Sequence, residues 1–254
     1  MTNTKVKLIR MWLMGLVLFG LRFYQLRYDF DSETLLHETS PVGVALAVLV
    51  AVAGVLLFIL SRWESKEKAA FSVVFGVPGR RNAVLIAGAG MLAIGGVLPV
   101  VFALKNASPV VGILDMVNAA EIAAAVLAAA ASLGFIALTA QMRRGETQSV
   151  VPVLPAVFFG AFWVLSLYIP TAEDPVMARY YLPILAAAVT AYAFAELGGF
   201  FRGETKVRNF SFVAEYAVVL CIASSAALEA GSLMFAGCAL ILSVFISLQK
   251  KAEK

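Results

Sequence analysis

Eight apolar runs divide this chain, each close to a bilayer's thickness in helical length, and short polar segments separate them. The runs cover residues 8–27, 41–61, 83–104, 113–140, 150–169, 179–200, 210–228 and 232–248. A helix rises about 1.5 Å per residue, so about 20 mainly apolar residues cross the hydrocarbon core. Lipid offers a peptide group no hydrogen-bond partner, so such a run satisfies its backbone by coiling into a helix. The fold class read from this pattern is all-α: a polytopic helical membrane protein with about eight transmembrane helices. Arg22 interrupts the first run, and seven spans without it is the alternative threading. Only 14% of the residues are charged and 61% are hydrophobic, against about 25% charged in a typical soluble domain. No polar stretch is long enough for a separate soluble module, so residues 1–254 are read as a single transmembrane bundle domain.

Charge sets the direction of threading. The formal net charge is +4, but Lys and Arg sit in short clusters between the runs. That placement marks the cytoplasmic side of a membrane protein and not a nucleic-acid surface. With the N-terminus cytoplasmic, the inner segments carry Lys5, Lys7, Arg10, Arg62, Lys66, Lys68, Arg80, Arg81, Arg143, Arg144, Arg202, Lys206, Arg208, Lys250, Lys251 and Lys254, which is 16 of the 20 basic residues. Arg22, Arg27, Lys105 and Arg179 remain for the outer side and the outer helix ends. The bias requires an even number of spans and cytoplasmic N- and C-termini. The outer segments "DFDSETLLHETS" (29–40) and "TAEDP" (171–175) are acidic by comparison. The opening "KVKLIRMWLMGLVLFGL" has the basic-then-apolar order of a secretory signal. It runs straight into "RFYQLRY" with no small-x-small cleavage site, and is read as a retained first helix. The expected location is a cell membrane crossed many times, of the bacterial cytoplasmic kind.

The connecting segments carry three further signals. "ESKEKAAFSVVFGVPGRR" (64–81) places Ala70, Phe71, Val74 and Phe75 at helical spacing and breaks at Pro78-Gly79. This cytoplasmic segment is read either as an interfacial helix lying on the inner leaflet or as a loop packing its aromatics on the helix ends. "RRGET" (143–147) and "FRGET" (201–205) each end one run and precede another. Arg at the negative helix end, Gly for the left-handed cap and a polar restart make both tight turns between antiparallel helices. Duplication of a hairpin and convergence on good turn chemistry both account for the likeness. Glycines 88, 90, 95 and 96 and the alanine runs let backbones approach closely; a hinge or a close ligand approach is the functional counterpart. Pro99, Pro152, Pro155 and Pro183 fall in or near spans, where they kink helices or are merely tolerated.

Polar groups inside the runs are the candidates for function. A charge at the bilayer centre costs about 2.5 to 3.5 kcal/mol on insertion scales, so it turns inward and takes a partner. Asp115, Asn118 and Glu121 drift along one face of the fourth run, with Glu121 about 9 Å deeper than Asp115. Arg22 and Gln25, Ser166 and Tyr168, Arg179, Tyr180 and Tyr181, and Glu229 fall in the outer halves of other runs. Together these predict an outward-facing polar cavity, with Glu121, Asn118, Asp115, Arg22, Arg179, Tyr180 and Glu229 as ligand-binding residues. The competing account gives Asp115 a helix-capping role and Glu121 one structural ion pair. Glu196 and Glu215 form a second, inner-side pair of carboxylates flanking "FRGET", read as structural partners of Arg202 and Arg208 or as a proton-linked gate.

Several chemistries are excluded. There is no P-loop, His-Glu-x-x-His, paired Cys-x-x-Cys or Gly-x-Ser-x-Gly pattern. His37 is the only histidine, and Cys221 and Cys238 lie inside apolar runs. No catalytic residue, no metal and no cofactor is therefore assigned, and an enzyme is not expected. No late span carries a lysine for a retinal Schiff base. The first functional reading is a small permease or solute-binding membrane protein, whose partners are the lipid bilayer and a small solute. The second is a non-catalytic membrane subunit or sensor that docks a membrane protein partner or a second copy of itself. A lipid-modifying enzyme is the third, and the chain offers it only carboxylates.

Overall fold

The structure is a computed structural model that describes residues 4–29, 41–106, 119–145, 149–169, 180–228 and 231–249. Among these residues the regular elements are all helical: α1 (Thr4–Tyr28), α2 (Pro41–Ser61), the single turn α3 (Phe71–Val74), α4 (Asn82–Asn106), α5 (Ala119–Arg144), α6 (Leu154–Tyr168), α7 (Tyr181–Gly199), α8 (Val207–Ser224) and α9 (Ser232–Leu248). Six of them, α2 and α4 to α8 with their flanking turns, are long and apolar enough to cross a membrane. The chain is thus a helical membrane protein whose apolar helices suit contact with lipid. α1 is long but carries Lys5, Lys7, Arg10, Arg22 and Arg27. α9 is apolar but has only 17 residues, or about 26 Å of rise.

The long helices alternate in direction. α1 and α8 run parallel, because Lys7 meets Ser211, Arg10 meets Glu215 and Gly15 meets Ile222. α9 runs against both, with Trp12 bonded to Ser243 and Lys7 to Gln249. α2 also opposes α8: Phe58 packs edge-on to Phe212, and Tyr216 reaches the Val50 carbonyl. α4 opposes α9, α5 opposes α4, and α6 and α7 continue the alternation. The start of α1 and the end of α9 therefore share one end of the bundle. Lys5, Lys7, Arg10, Arg62, Lys66, Lys68, Arg81, Arg143, Arg144, Arg202, Lys206 and Arg208 lie at this basic end. Arg22, Arg27 and Lys105 lie toward the other.

α8 is the central helix, with 78% of its span buried, whereas α2 on the periphery is 22% buried. α8 packs against α1, α2, α7 and α9, and the order α4–α5–α6–α7–α8–α9 closes back on α4. Close backbone approach makes this packing possible. A Cβ added to Gly237 of α9 would lie 2.6 Å from the Gly88 carbonyl oxygen of α4, and one added to Gly96 would lie 2.7 Å from the Ala128 Cβ of α5. Three of the four prolines need no special account. Pro152 and Pro155 sit in the first turns leading into α6, and Pro183 in the first turn of α7, where no intrahelical N–H is required. Pro99 is inside α4.

The 64–81 segment crosses the basic end. The Ala69 and Arg208 amides bond the Thr205 and Ser65 carbonyls at 3.2 and 3.1 Å, and the Gly76 amide bonds the Leu248 carbonyl at 2.9 Å. Phe71 and Phe75 are buried in an aromatic cluster with Phe200, Phe201, Phe210 and Phe245, with ring centroids 4.4 to 6.4 Å apart. The two RGET turns use the same backbone device: Gly145 and Gly203 both take the left-handed conformation, at φ +67° and +68°.

Candidate functional site

The buried face of α1 organises the polar chemistry. Lys7, Met11, Gly15, Leu18, Arg22 and Gln25 are its buried residues, each three or four positions from the next, and buried Asp29, just past the helix end, continues the spacing. That spacing is one stripe along a helix. Its middle is apolar and small, with Gly15 pressed against Ile222. Its two ends are polar, so each end of the bundle receives a set of buried polar groups.

At the end opposite the basic cluster, Arg22 is 2% exposed. Its Nη1 donates to the Gln25 Oε1 at 2.6 Å, and its guanidinium lies 5.9 Å from the centre of the Tyr181 ring. Arginine only donates, so the Gln25 oxygen must face it and the amide Nε2 must face away. That Nε2 has no hydrogen-bond partner, and neither do the Tyr181 hydroxyl and the Asp29 Oδ2. All three atoms are buried. Each orphaned group of this kind costs about 1 to 3 kcal/mol. Trp163 on α6 and Ser224 at the end of α8 also bury an unpaired N–H and hydroxyl. Ser166 is satisfied instead by its own helix, donating to the Trp163 carbonyl at 2.9 Å.

At the basic end several polar groups pair across helices, although the Arg10 Nε, Asn82 Oδ1, Gln141 Oε1 and Gln249 Nε2 are buried there without a partner. The Lys7 amine is 2.7 Å from the Glu64 carboxylate and donates to the Ser211 hydroxyl at 3.0 Å and the Gln249 Oε1 at 3.4 Å. Arg10 pairs with Glu215, and Ser211 donates to the other Glu215 oxygen at 3.1 Å. The partner of Glu215 is therefore on α1, not in the turn that follows α7. Glu196 lies one turn from Tyr192, and its carbonyl accepts from Thr205 at 2.9 Å. Both flank a shallow groove of about 260 Å³ that also takes in Glu204, Lys206 and Asn209.

Of the residues singled out in the sequence, Arg22 is buried, while Glu121 and Tyr180 are half-buried at the opening turns of α5 and α7. Glu121 belongs to a helix seated between α4 and α6, whereas α1 packs on α8, α2 and α9. Asp115, Asn118, Arg179 and Glu229 lie outside the described residues. The structure sets Gln25 and Tyr181, both named with Arg22 in the outer polar group of the sequence, beside it, and adds Asp29 further along the same stripe. The available signal was that Arg22, Gln25 and Asp29 continue the stripe of Leu18 at helical spacing. Asp29 reads in the sequence as the first residue of an acidic loop, and Tyr181 as one of several interfacial aromatics. Among the described residues no group of three or more His, Cys, Asp or Glu is placed to hold a metal ion. Comparison of the chain with protein-family models, with curated proteins and with solved structures finds no match.

Proposed function

We propose that this protein is a small permease or solute-binding membrane protein, with a polar site at the end of the bundle opposite the basic cluster. The observation that carries the reading is the set of buried, unpaired polar atoms at this end: those of Gln25 and Tyr181 beside the Arg22 guanidinium, and that of Asp29 one turn beyond Gln25. A membrane bundle gains nothing from such atoms unless something polar meets them. Glu121 and Tyr180 belong to the same half of the molecule, and the proposal extends the site to Asp115, Asn118, Arg179 and Glu229 on the adjoining segments.

The threading that goes with this function has eight spans with both termini in the cytoplasm of the cell. Twelve described basic residues at one end support it through the positive-inside rule. The site then faces outward. Gly88, Gly95, Gly96, Gly134, Gly160 and Gly237 are each covered by a neighbouring segment of the same chain, whereas Gly20 and Gly90 face open space, so a subunit that docks through small residues would have to use those two.

Native mass spectrometry of the protein, extracted gently from its own membrane, tests the reading. A small molecule retained by the wild type and lost in Arg22→Gln and in Tyr181→Phe is the expected result. A stoichiometric protein partner with no small molecule overturns it and makes the chain a membrane subunit.

A further inference from the structure

Two stretches of backbone meet at the basic end and bring four cations together in two pairs. Residues 65–69 run antiparallel to residues 205–208. The Ala69 amide donates to the Thr205 carbonyl at 3.2 Å, the Arg208 amide to the Ser65 carbonyl at 3.1 Å, and Lys68 faces Lys206 across an isolated antiparallel bridge. Directly opposed residues hold their Cβ atoms about 5 Å apart, and like charges placed there repel. Both lysines are exposed. The second pair is Arg62 and Arg208, whose guanidiniums each lie 5.7 Å from the centre of the same Phe58 ring. Among the described residues none of the four forms an ion pair. Glu64, the nearest acid in sequence to Arg62, is taken by Lys7 at 2.7 Å. Backbone and ring contacts thus hold four cations together against their own repulsion, with no carboxylate between them, and such a surface fits an anion.

The surroundings of the four cations identify the anion. Val55, Phe58 and Ile59 are exposed on α2, the least buried of the candidate spans, and Arg62 follows them at helical spacing just past the helix end. The lipid-facing side of α2 therefore runs straight into the cations. Trp63, next to Arg62, is 72% exposed, and tryptophan in that setting sits at headgroup level. Lys206 and Arg208 are two positions apart, so the two pairs lie within about 7 Å of each other along the chain, a separation that one glycerol linking two phosphates covers. We infer that this corner binds an acidic phospholipid whose head carries two phosphates, of the cardiolipin type. One phosphate meets Lys68 and Lys206, the other meets Arg62 and Arg208, and the acyl chains lie along the exposed side of α2. A soluble phosphate uses the cations but leaves the apolar side unused. A zwitterionic lipid brings its own cation against theirs.

The test is lipid titration of the purified, delipidated full chain in detergent, read by native mass spectrometry. The probes are tetraoleoyl cardiolipin, dioleoyl phosphatidylglycerol and dioleoyl phosphatidylcholine, with inorganic pyrophosphate as a soluble competitor. One cardiolipin per chain is expected to bind at least tenfold more tightly than either other lipid. Lys68→Gln with Lys206→Gln, and Arg62→Gln with Arg208→Gln, should each weaken it at least fivefold. Lys105→Gln with Arg143→Gln removes the same charge elsewhere and should change it less than twofold. Arg208 is half-buried, so if size exclusion shows the arginine variant unfolded, the exposed lysine pair decides. Phosphatidylglycerol or phosphatidylcholine binding as tightly as cardiolipin overturns the two-phosphate assignment, and so does an equal loss in the Lys105 and Arg143 variant. Pyrophosphate that displaces the lipid makes this a site for a soluble anion instead. A dimer that retains no lipid and dissociates in the lysine variant gives the surface to a second copy of the chain. None of these outcomes bears on the solute site at the other end, which depends on Arg22 and Tyr181.

Discussion

Single residues in this bundle matter for different physical reasons, and two glycines separate them. Gly203 has open space where a Cβ would go, but its φ is +68°. Alanine there is strained by its backbone alone, so Gly203→Ala should lower stability by about 1 kcal/mol. Gly237 has no such conformation, but an added Cβ would sit 2.6 Å from the Gly88 carbonyl and 2.7 Å from the Leu92 amide. Neither is a movable side chain, so Gly237→Ala forces α4 and α9 apart and should cost about 2 kcal/mol. Thermal unfolding in detergent ranks the two, and a larger loss at Gly203 would contradict the packing described here. Glu215 makes a third case. It is 2% exposed and pairs with Arg10. Glu215→Leu strands the arginine and should cost about 3 kcal/mol, whereas Arg10→Met with Glu215→Leu should recover most of that loss. A double variant no more stable than the single would show that the pair is not coupled.

At the scale of elements, the ends of the helices were legible because apolar runs and turn residues mark them locally. The run 41–61 coincides with α2 and the run 232–248 with α9. The left-handed glycines of both RGET turns were readable for the same reason. The role of α1 was not. Its apolar residues cover both exposed and buried positions, and only the structure shows that Lys7, Arg22, Gln25 and Asp29 belong to the buried stripe. The 64–81 segment shows the same limit, since the spacing of Phe71, Val74 and Phe75 is equally that of a helix on lipid and of a plug in protein. In the structure those three side chains are 3 to 6% exposed at the end of the bundle. Phe75→Ala should therefore cost about 3 kcal/mol, measured by thermal unfolding. A variant as stable as the wild type would mean that the ring does not pack there.

For the whole molecule, the alternation of helix direction and the grouping of basic residues at one end give an orientation that labelling can check. In a variant lacking Cys221 and Cys238, both buried in the structure, single cysteines replace exposed lysines. Lys105→Cys should react with a membrane-impermeant maleimide in intact cells, and Lys206→Cys only after the membrane is opened. The reverse pattern would invert the threading and turn the candidate site inward.

The sequence by itself determined that the chain folds into helices and roughly where each begins and ends, and it set the expected direction of threading. Those properties follow from local hydrogen bonding and from charges that resist crossing lipid. Which face of each helix turns inward, and that Arg22 meets Gln25 and Tyr181 while Glu215 meets Arg10, was decided only by the tertiary structure. In water the buried face of a helix announces itself by its apolar residues. In lipid the outer face is just as apolar, so that signal vanishes, and packing between small residues and a few polar contacts settles which groups meet.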